Sequence, residues 1–187
     1  MAQNRRIRPG YTVVYPNRQK ASSHVIKWIV VLILLASVGL MLLITLGGWS
    51  KLQGLKPVNI IWCILYVLIA IYVARWNRGL LPIAAAMAIL LLILAVIAGT
   101  GVAGTSWFDR NHVGFAAPQS PFGGKGISPN VLGTLTIILA IVQAALIVFS
   151  MWGFTQGWNV ETEVPEDEAK QRRGGKSSSG RAEPAAA

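Results

Sequence analysis

Four long stretches of this chain hold almost nothing but apolar side chains, and its polar residues fall between and outside them. The first, WIVVLILLASVGLMLLITLGGW, runs from Trp28 to Trp49 without a charge. As a helix rising about 1.5 Å per residue, the positions between the two tryptophans cover roughly 30 Å, the thickness of a hydrocarbon core. Tryptophans at both ends suit the two membrane interfaces. The run exceeds the usual h-region of a cleaved signal peptide and lacks an A-x-A-like site at its end, so it is expected to stay as a spanning helix.

The second stretch, PVNIIWCILYVLIAIYVARW, opens at Pro57 and meets charge again at Arg75. The third, GLLPIAAAMAILLLILAVIAGTG, covers Gly79 to Gly101, with Pro82 early enough to be tolerated in an opening turn. Only RWNR separates these two, a connection short enough to predict an antiparallel helical hairpin. The fourth, VLGTLTIILAIVQAALIVFSMWGF, follows SPN, where Ser128 suits an N-cap and Pro129 the first helical position. The pattern therefore predicts an all-α integral membrane protein with spans at about 28–49, 57–75, 79–101 and 131–154. A Gly/Pro-rich loop at about 102–130 joins the last two. A basic tail, 1–27, precedes this 28–158 membrane domain, and a charged, largely disordered tail, 159–187, follows it.

An even number of spans puts both tails on one side of the bilayer. That side holds thirteen of the seventeen Lys and Arg residues, counting the 75–78 turn, against Lys51, Lys56, Arg110 and Lys125 on the other. By the positive-inside rule the tails and the short turn are expected in the cytoplasm and the 102–130 loop outside, in a cytoplasmic (plasma) membrane. The chain contains no Asn-x-Ser/Thr sequon, which fits a prokaryotic origin.

Composition sharpens this picture. The 187 residues are 53% hydrophobic and only 13% charged, a poor match to a water-soluble domain. The net charge of +10 lies in tails and short connections rather than on a folded face, so anionic lipid is a better expected partner than nucleic acid. The expected cytoplasmic-face lipid contacts are Arg5, Arg6, Arg8, Arg18, Lys20 and Lys27. One cysteine, Cys63, excludes an intramolecular disulfide and a CxxC redox pair. Short of Arg75 at the very end of the second, the four predicted spans carry no Asp, Glu, Lys, Arg or His, which argues against ion-coupled transport, since that chemistry binds or relays charge at membrane depth.

Polar residues within the spans are correspondingly informative. Gln143, near the middle of the fourth, must find a partner across a helix interface or leave hydrogen bonds unmade. Around it Ala140 and Ala144 form a small-xxx-small pair, and Ala84 with Ala88 forms another in the third span; such pairs let helix backbones approach closely. These five residues are the expected helix-interface positions.

The loop carries the segment SWFDRNHVGF, with Asp109 the only acidic residue before Glu161. Asp109 and His112 stand three apart and could share a proton in a helical turn. Neither cysteine, glutamate nor a second histidine accompanies them there to complete the three or four ligands of a zinc site. No spacing specifies a nucleophile, base and orienting acid. Trp107, Phe108, Asp109, Arg110, His112 and Phe115 are thus expected as contacts to a partner protein or the interface, with no catalytic, cofactor or metal residue. GGKGIS and GGKSSSG lack the phosphate-loop spacing. In the last tail, Pro165, Glu166, Asp167 and Glu168 followed by Lys170, Arg172 and Arg173 predict a short helix matched to its dipole. The function expected is a non-catalytic accessory or scaffold subunit of a membrane complex, working with a protein partner or as a homo-oligomer. The alternatives are a passive channel or transporter for small or lipid-like solutes, and a membrane-embedded enzyme using the loop.

Overall fold

The structure, a computed structural model, describes residues 9–52, 55–100, 121 and 123–169. Four helices dominate it: α1, Ala21–Gly47; α2, Leu55–Ala74; α3, Leu80–Thr100; and α4, Pro129–Thr155. All four are long and apolar enough to cross a membrane. Proline sits in the opening turn of α2 (Pro57), α3 (Pro82) and α4 (Pro129), where a missing N–H breaks no intrahelical bond. Ser128 occupies the N-cap position of α4, yet its side chain makes no capping hydrogen bond.

Apolar side chains fill the inside of the helix array and cover its outside as well. Leu32, Leu35, Ile61, Ile64, Leu90, Ile93, Ile141 and Val148 face outward, while Ser23, Ser37, Thr45, Thr136, Gln143 and Ser150 lie inside. Outward Leu and Ile beside inward hydroxyls and amides is the arrangement hydrocarbon surroundings favour, because lipid cannot satisfy a polar group.

Contacts run in the order α2, α1, α4, α3, with the α3–α4 pairing the most extensive. The hairpin expected of α2 and α3 is joined by a short turn, but these helices make few contacts with each other. Small residues explain the choice of neighbour: α3 buries Ala84, Ala85, Ala88 and Ala95. A Cβ on Gly99 would come 2.7 Å from Ile137 Cδ1 and 3.2 Å from the Gly133 carbonyl. At this point the two backbones meet as closely as glycine allows.

Two ends can be distinguished. At the loop end, where α1 and α3 finish, the Ile127 N–H donates to the Gly47 carbonyl at 2.9 Å. The Lys51 ammonium donates to the carbonyls of Lys125 and Ile127 at 2.9 and 2.8 Å. At the tail end lies an antiparallel sheet of β1, Tyr11–Val14, and β2, Thr162–Pro165, in the register Tyr11↔Pro165 to Val14↔Thr162. A 3-10 turn, Pro16–Gln19, leads from β1 into α1.

The tail end departs from the sequence expectation in three respects. Helix α1 begins seven residues before Trp28, so His24 and Lys27 lie in its first two turns. The stems of both tails are ordered against each other. Pro165 closes a strand instead of opening a helix; helical residues begin only at Glu166 and are described to Ala169, so the rest of the expected short helix lies outside the described residues. The two tail stems supply strand partners for one another, while His24 and Lys27 at the start of α1 pack against Trp76 of the α2–α3 turn.

Candidate functional site

The chemistry inside the membrane domain is concentrated in one polar relay. Tyr66 on α2 donates its hydroxyl to Gln143 Oε1 at 2.8 Å, and Gln143 Nε2 donates to Ser37 Oγ on α1 at 2.9 Å. Ser37 in turn donates to the Ile33 carbonyl at 2.8 Å. Tyr66, Gln143 and Ser37 are all fully buried, so the relay ties α1, α2 and α4 together away from lipid. A second pair, Asn59 Nδ2 to Thr45 Oγ1 at 3.1 Å, joins α2 to α1 nearer the loop end.

Gln143 stands where its position in the fourth span suggested, but its partners were not legible. Ser37 was one of several span hydroxyls, and Tyr66 passes for an apolar aromatic in a hydropathy pattern. The usable signal was the requirement that a buried amide be answered by a donor and an acceptor on facing helices. Ala84 and Ala88 are buried on α3, and Ala140 is buried on α4. Ala144, the other member of that small-residue pair, is exposed in the single chain.

A second cluster surrounds the turn between α2 and α3. Trp76 has φ 67°, a left-handed conformation that non-glycine residues rarely adopt. Its N–H donates to the Val73 carbonyl and the Asn77 N–H to the Tyr72 carbonyl, which closes α2 as a Schellman motif with tryptophan where glycine is usual. The indole is held edge-on by His24 at 4.8 Å and by the fully buried Trp158 at 5.4 Å. Lys27, only 5% exposed, places its ammonium 4.2 Å from the Trp76 ring centre and 4.7 Å from that of Trp28. It reaches the Ala74 carbonyl at 3.4 Å. On the other side of the turn, Arg78 donates to the Phe154 carbonyl at 2.6 Å and stacks on that residue's ring.

The expected lipid-contacting cations therefore divide. Lys20 is exposed. Lys27 is turned inward, because two indoles and a helix-terminal carbonyl replace water around its ammonium. Arg18 is likewise engaged within the protein: it donates to the Trp158 carbonyl and Asn159 Oδ1 and lies over the Tyr15 ring. Arg5, Arg6 and Arg8 lie outside the described residues, as do the loop contacts Trp107, Phe108, Asp109, Arg110, His112 and Phe115. Among the described residues, no three His, Cys, Asp or Glu side chains gather in a group that could hold a metal.

Beside these clusters the tail stems are pinned by polar contacts. Tyr15 donates to the Glu161 carboxylate at 3.0 Å, and Asn17 to the Gly157 carbonyl at 3.1 Å. The Glu161 hydrogen bond and negative charge raise the Tyr15 pKa above its ordinary value, with a small contribution from burial, against a lowering by Arg18. Chemically, these contacts fix the helices and the tail stems relative to one another. The chain matches no family model, no curated protein and no solved structure.

Proposed function

We propose that this chain is a non-catalytic, multi-pass subunit of a cytoplasmic membrane, acting as an accessory or scaffold for a membrane complex. The observation that supports it best is the Tyr66–Gln143–Ser37 relay. The polar groups at the centre of the helices are directed at one another across three of them, where a solute pathway or reaction centre would need them free. Both tail stems lie on the cytoplasmic side in this reading, with Arg5, Arg6, Arg8 and Lys20 near anionic lipid and the aromatic 102–130 loop outside as the partner-facing segment.

Gentle detergent solubilisation of the tagged full-length chain tests the role. A stoichiometric second protein is expected to co-purify; a homo-oligomer that conducts solute in liposomes would instead favour a channel. Sidedness is tested separately in a Cys63→Ala background. Lys125→Cys should react with an impermeant thiol reagent on intact cells, and Asn159→Cys only after lysis. The reverse pattern would overturn the orientation without touching the fold.

A further inference from the structure

The segment GGKGIS lacks the phosphate-loop spacing, yet the fold carries its lysine to a defined place. Lys125 lies between Gly124 (φ 71°) and Gly126 (φ 70°), left-handed positions that let the chain turn sharply on either side of it. Its carbonyl accepts two hydrogen bonds from the turn that follows α1: from Ser50 Oγ at 3.0 Å and from the Lys51 ammonium at 2.9 Å. That turn is closed by the Lys51 N–H donating to the Gly48 carbonyl at 2.8 Å. Trp49 belongs to it as well, and the Lys56 ammonium lies 4.7 Å from its ring centre. Lys51, Lys56 and Lys125 are thus gathered on one surface at the loop end.

Among the described residues, no carboxylate answers their charge there. Every described Asp and Glu falls between Glu161 and Glu168, at the opposite end of the helices. The Lys125 side chain is exposed and has no partner among the described residues. Lys51 spends two of its three donors on the carbonyls of Lys125 and Ile127, which are neutral, so its charge stays uncompensated and one N–H is left over. Like charges held close repel one another, and an anion placed among them turns repulsion into attraction. Depth narrows the choice of anion. A lysine laid against a tryptophan at the end of an apolar helix marks the headgroup level of a bilayer. The anion found at that level is the phosphate of a phospholipid.

We propose that Lys51, Lys56 and Lys125 form a binding site for the phosphate of one anionic phospholipid in the leaflet at the loop end. Lys125 meets the phosphate from its exposed turn, Lys51 adds charge and fastens that turn in place, and Lys56 adds charge from the start of α2. The site lies apart from the contacts expected at the cytoplasmic face. The inference stands independently of the subunit role and of the sidedness of the chain.

The test is native mass spectrometry of the full chain carried from nanodiscs of equal phosphatidylglycerol and phosphatidylcholine into mild detergent. The unaltered chain should retain phosphatidylglycerol in preference to phosphatidylcholine. Lys125→Gln alters an exposed side chain with no contact to lose, and should weaken that retention about fivefold, the weight of one basic residue near an anionic leaflet. Lys51→Gln should weaken it further, because charge and fastening go together, while circular dichroism shows the helices intact. Lys125→Arg should preserve it. Adding Thr100→Lys to Lys125→Gln restores the net charge at an exposed position on the end of α3, outside the cluster, and should not restore retention. Full recovery in that double variant would mean diffuse attraction and overturn the site. Retention indifferent to Lys125→Gln and Lys51→Gln would overturn it too. So would displacement of the lipid by inorganic phosphate alone, since a free anion would then be the occupant.

Discussion

Gln143 brings one amide into a region where water cannot reach it, and its two answered hydrogen bonds decide how three helices face each other. In membranes such bonds contribute modestly, because the unfolded chain also finds partners in the bilayer. A double-mutant cycle of Tyr66→Phe and Gln143→Leu should therefore give a coupling of about 0.6–1.7 kcal/mol in detergent unfolding; a value near zero would mean that the buried contact does not stabilise the fold. Trp76 poses a different residue-scale question. Its left-handed backbone costs a non-glycine residue about 1–2 kcal/mol, which glycine would not incur. Trp76→Ala should lose the packing against His24, Lys27 and Trp158 and keep the strain, whereas Trp76→Gly loses the packing but relieves the strain. The glycine variant is thus expected to unfold later than the alanine variant by roughly that difference, reversing the usual order of these residues in structured segments. Gln143 announced itself in the sequence as an amide in an apolar run. Trp76 did not, since nothing in RWNR shows that a tryptophan stands where a glycine would serve.

At the scale of elements, the helices were legible because each carries its own apolar run of membrane-spanning length, and the property being read is local. Their neighbours were not. A short turn suggested that α2 and α3 pair, but small residues on α3 send it to α4, and that preference depends on which faces meet. Gly99→Ala should destabilise the α3–α4 contact by about 1–3 kcal/mol, the ordinary cost of overpacking, by driving a methyl into Ile137. Adding Ile137→Ala should restore part of the loss if steric conflict is the cause; two purely additive losses in thermal unfolding would contradict it. The strands were illegible for a related reason. Tyr11–Val14 and Thr162–Pro165 are each four residues long and lie at opposite ends of the sequence, so each is a strand only in the other's presence. The early start of α1 was hidden by Ser22, Ser23, His24 and Lys27, which read as a polar tail until Trp76 is placed beside His24 and Lys27. The same clasp has a pH signature. The Tyr15 hydroxyl can donate to Glu161 only while neutral, and its pKa is raised from 10.0. The stabilisation is therefore complete below pH 10 and is lost as pH rises through the higher folded value. Subtracting the tyrosinate absorbance titration of Tyr15→Phe from that of the wild type should isolate one phenol that ionises above pH 10. A midpoint at or below 10 would show that Tyr15 is not held by the carboxylate in solution.

Over the whole molecule, the pairing of β1 with β2 converts a row of helices into a closed circuit of chain. With α2 touching α3 only sparsely, little along that edge closes the helix array. The outer helices are held by α1 and α4, and the entry to α1 and the exit from α4 are joined through Arg18, Asn17 and the strand ladder. Loosening the clasp should therefore act at a distance, freeing the two central helices to shift past each other. In a Cys63→Ala background, Val13→Cys with Glu163→Cys places two thiols at directly opposed positions of the ladder, where Cα separations of about 4.5–5.5 Å permit a disulfide. An intramolecular cross-link should form in membranes under mild oxidation, detected as a reducible shift in gel mobility. The control pair Val13→Cys with Lys125→Cys should give none, since its members lie at opposite ends of the spans. The locked chain should also unfold at a higher temperature than its reduced form, because the bond removes freedom from the unfolded chain across a very long loop. Failure of the first pair to close, with the helices intact, would show that the tails do not meet and that α1 and α4 are held by their helical contact alone.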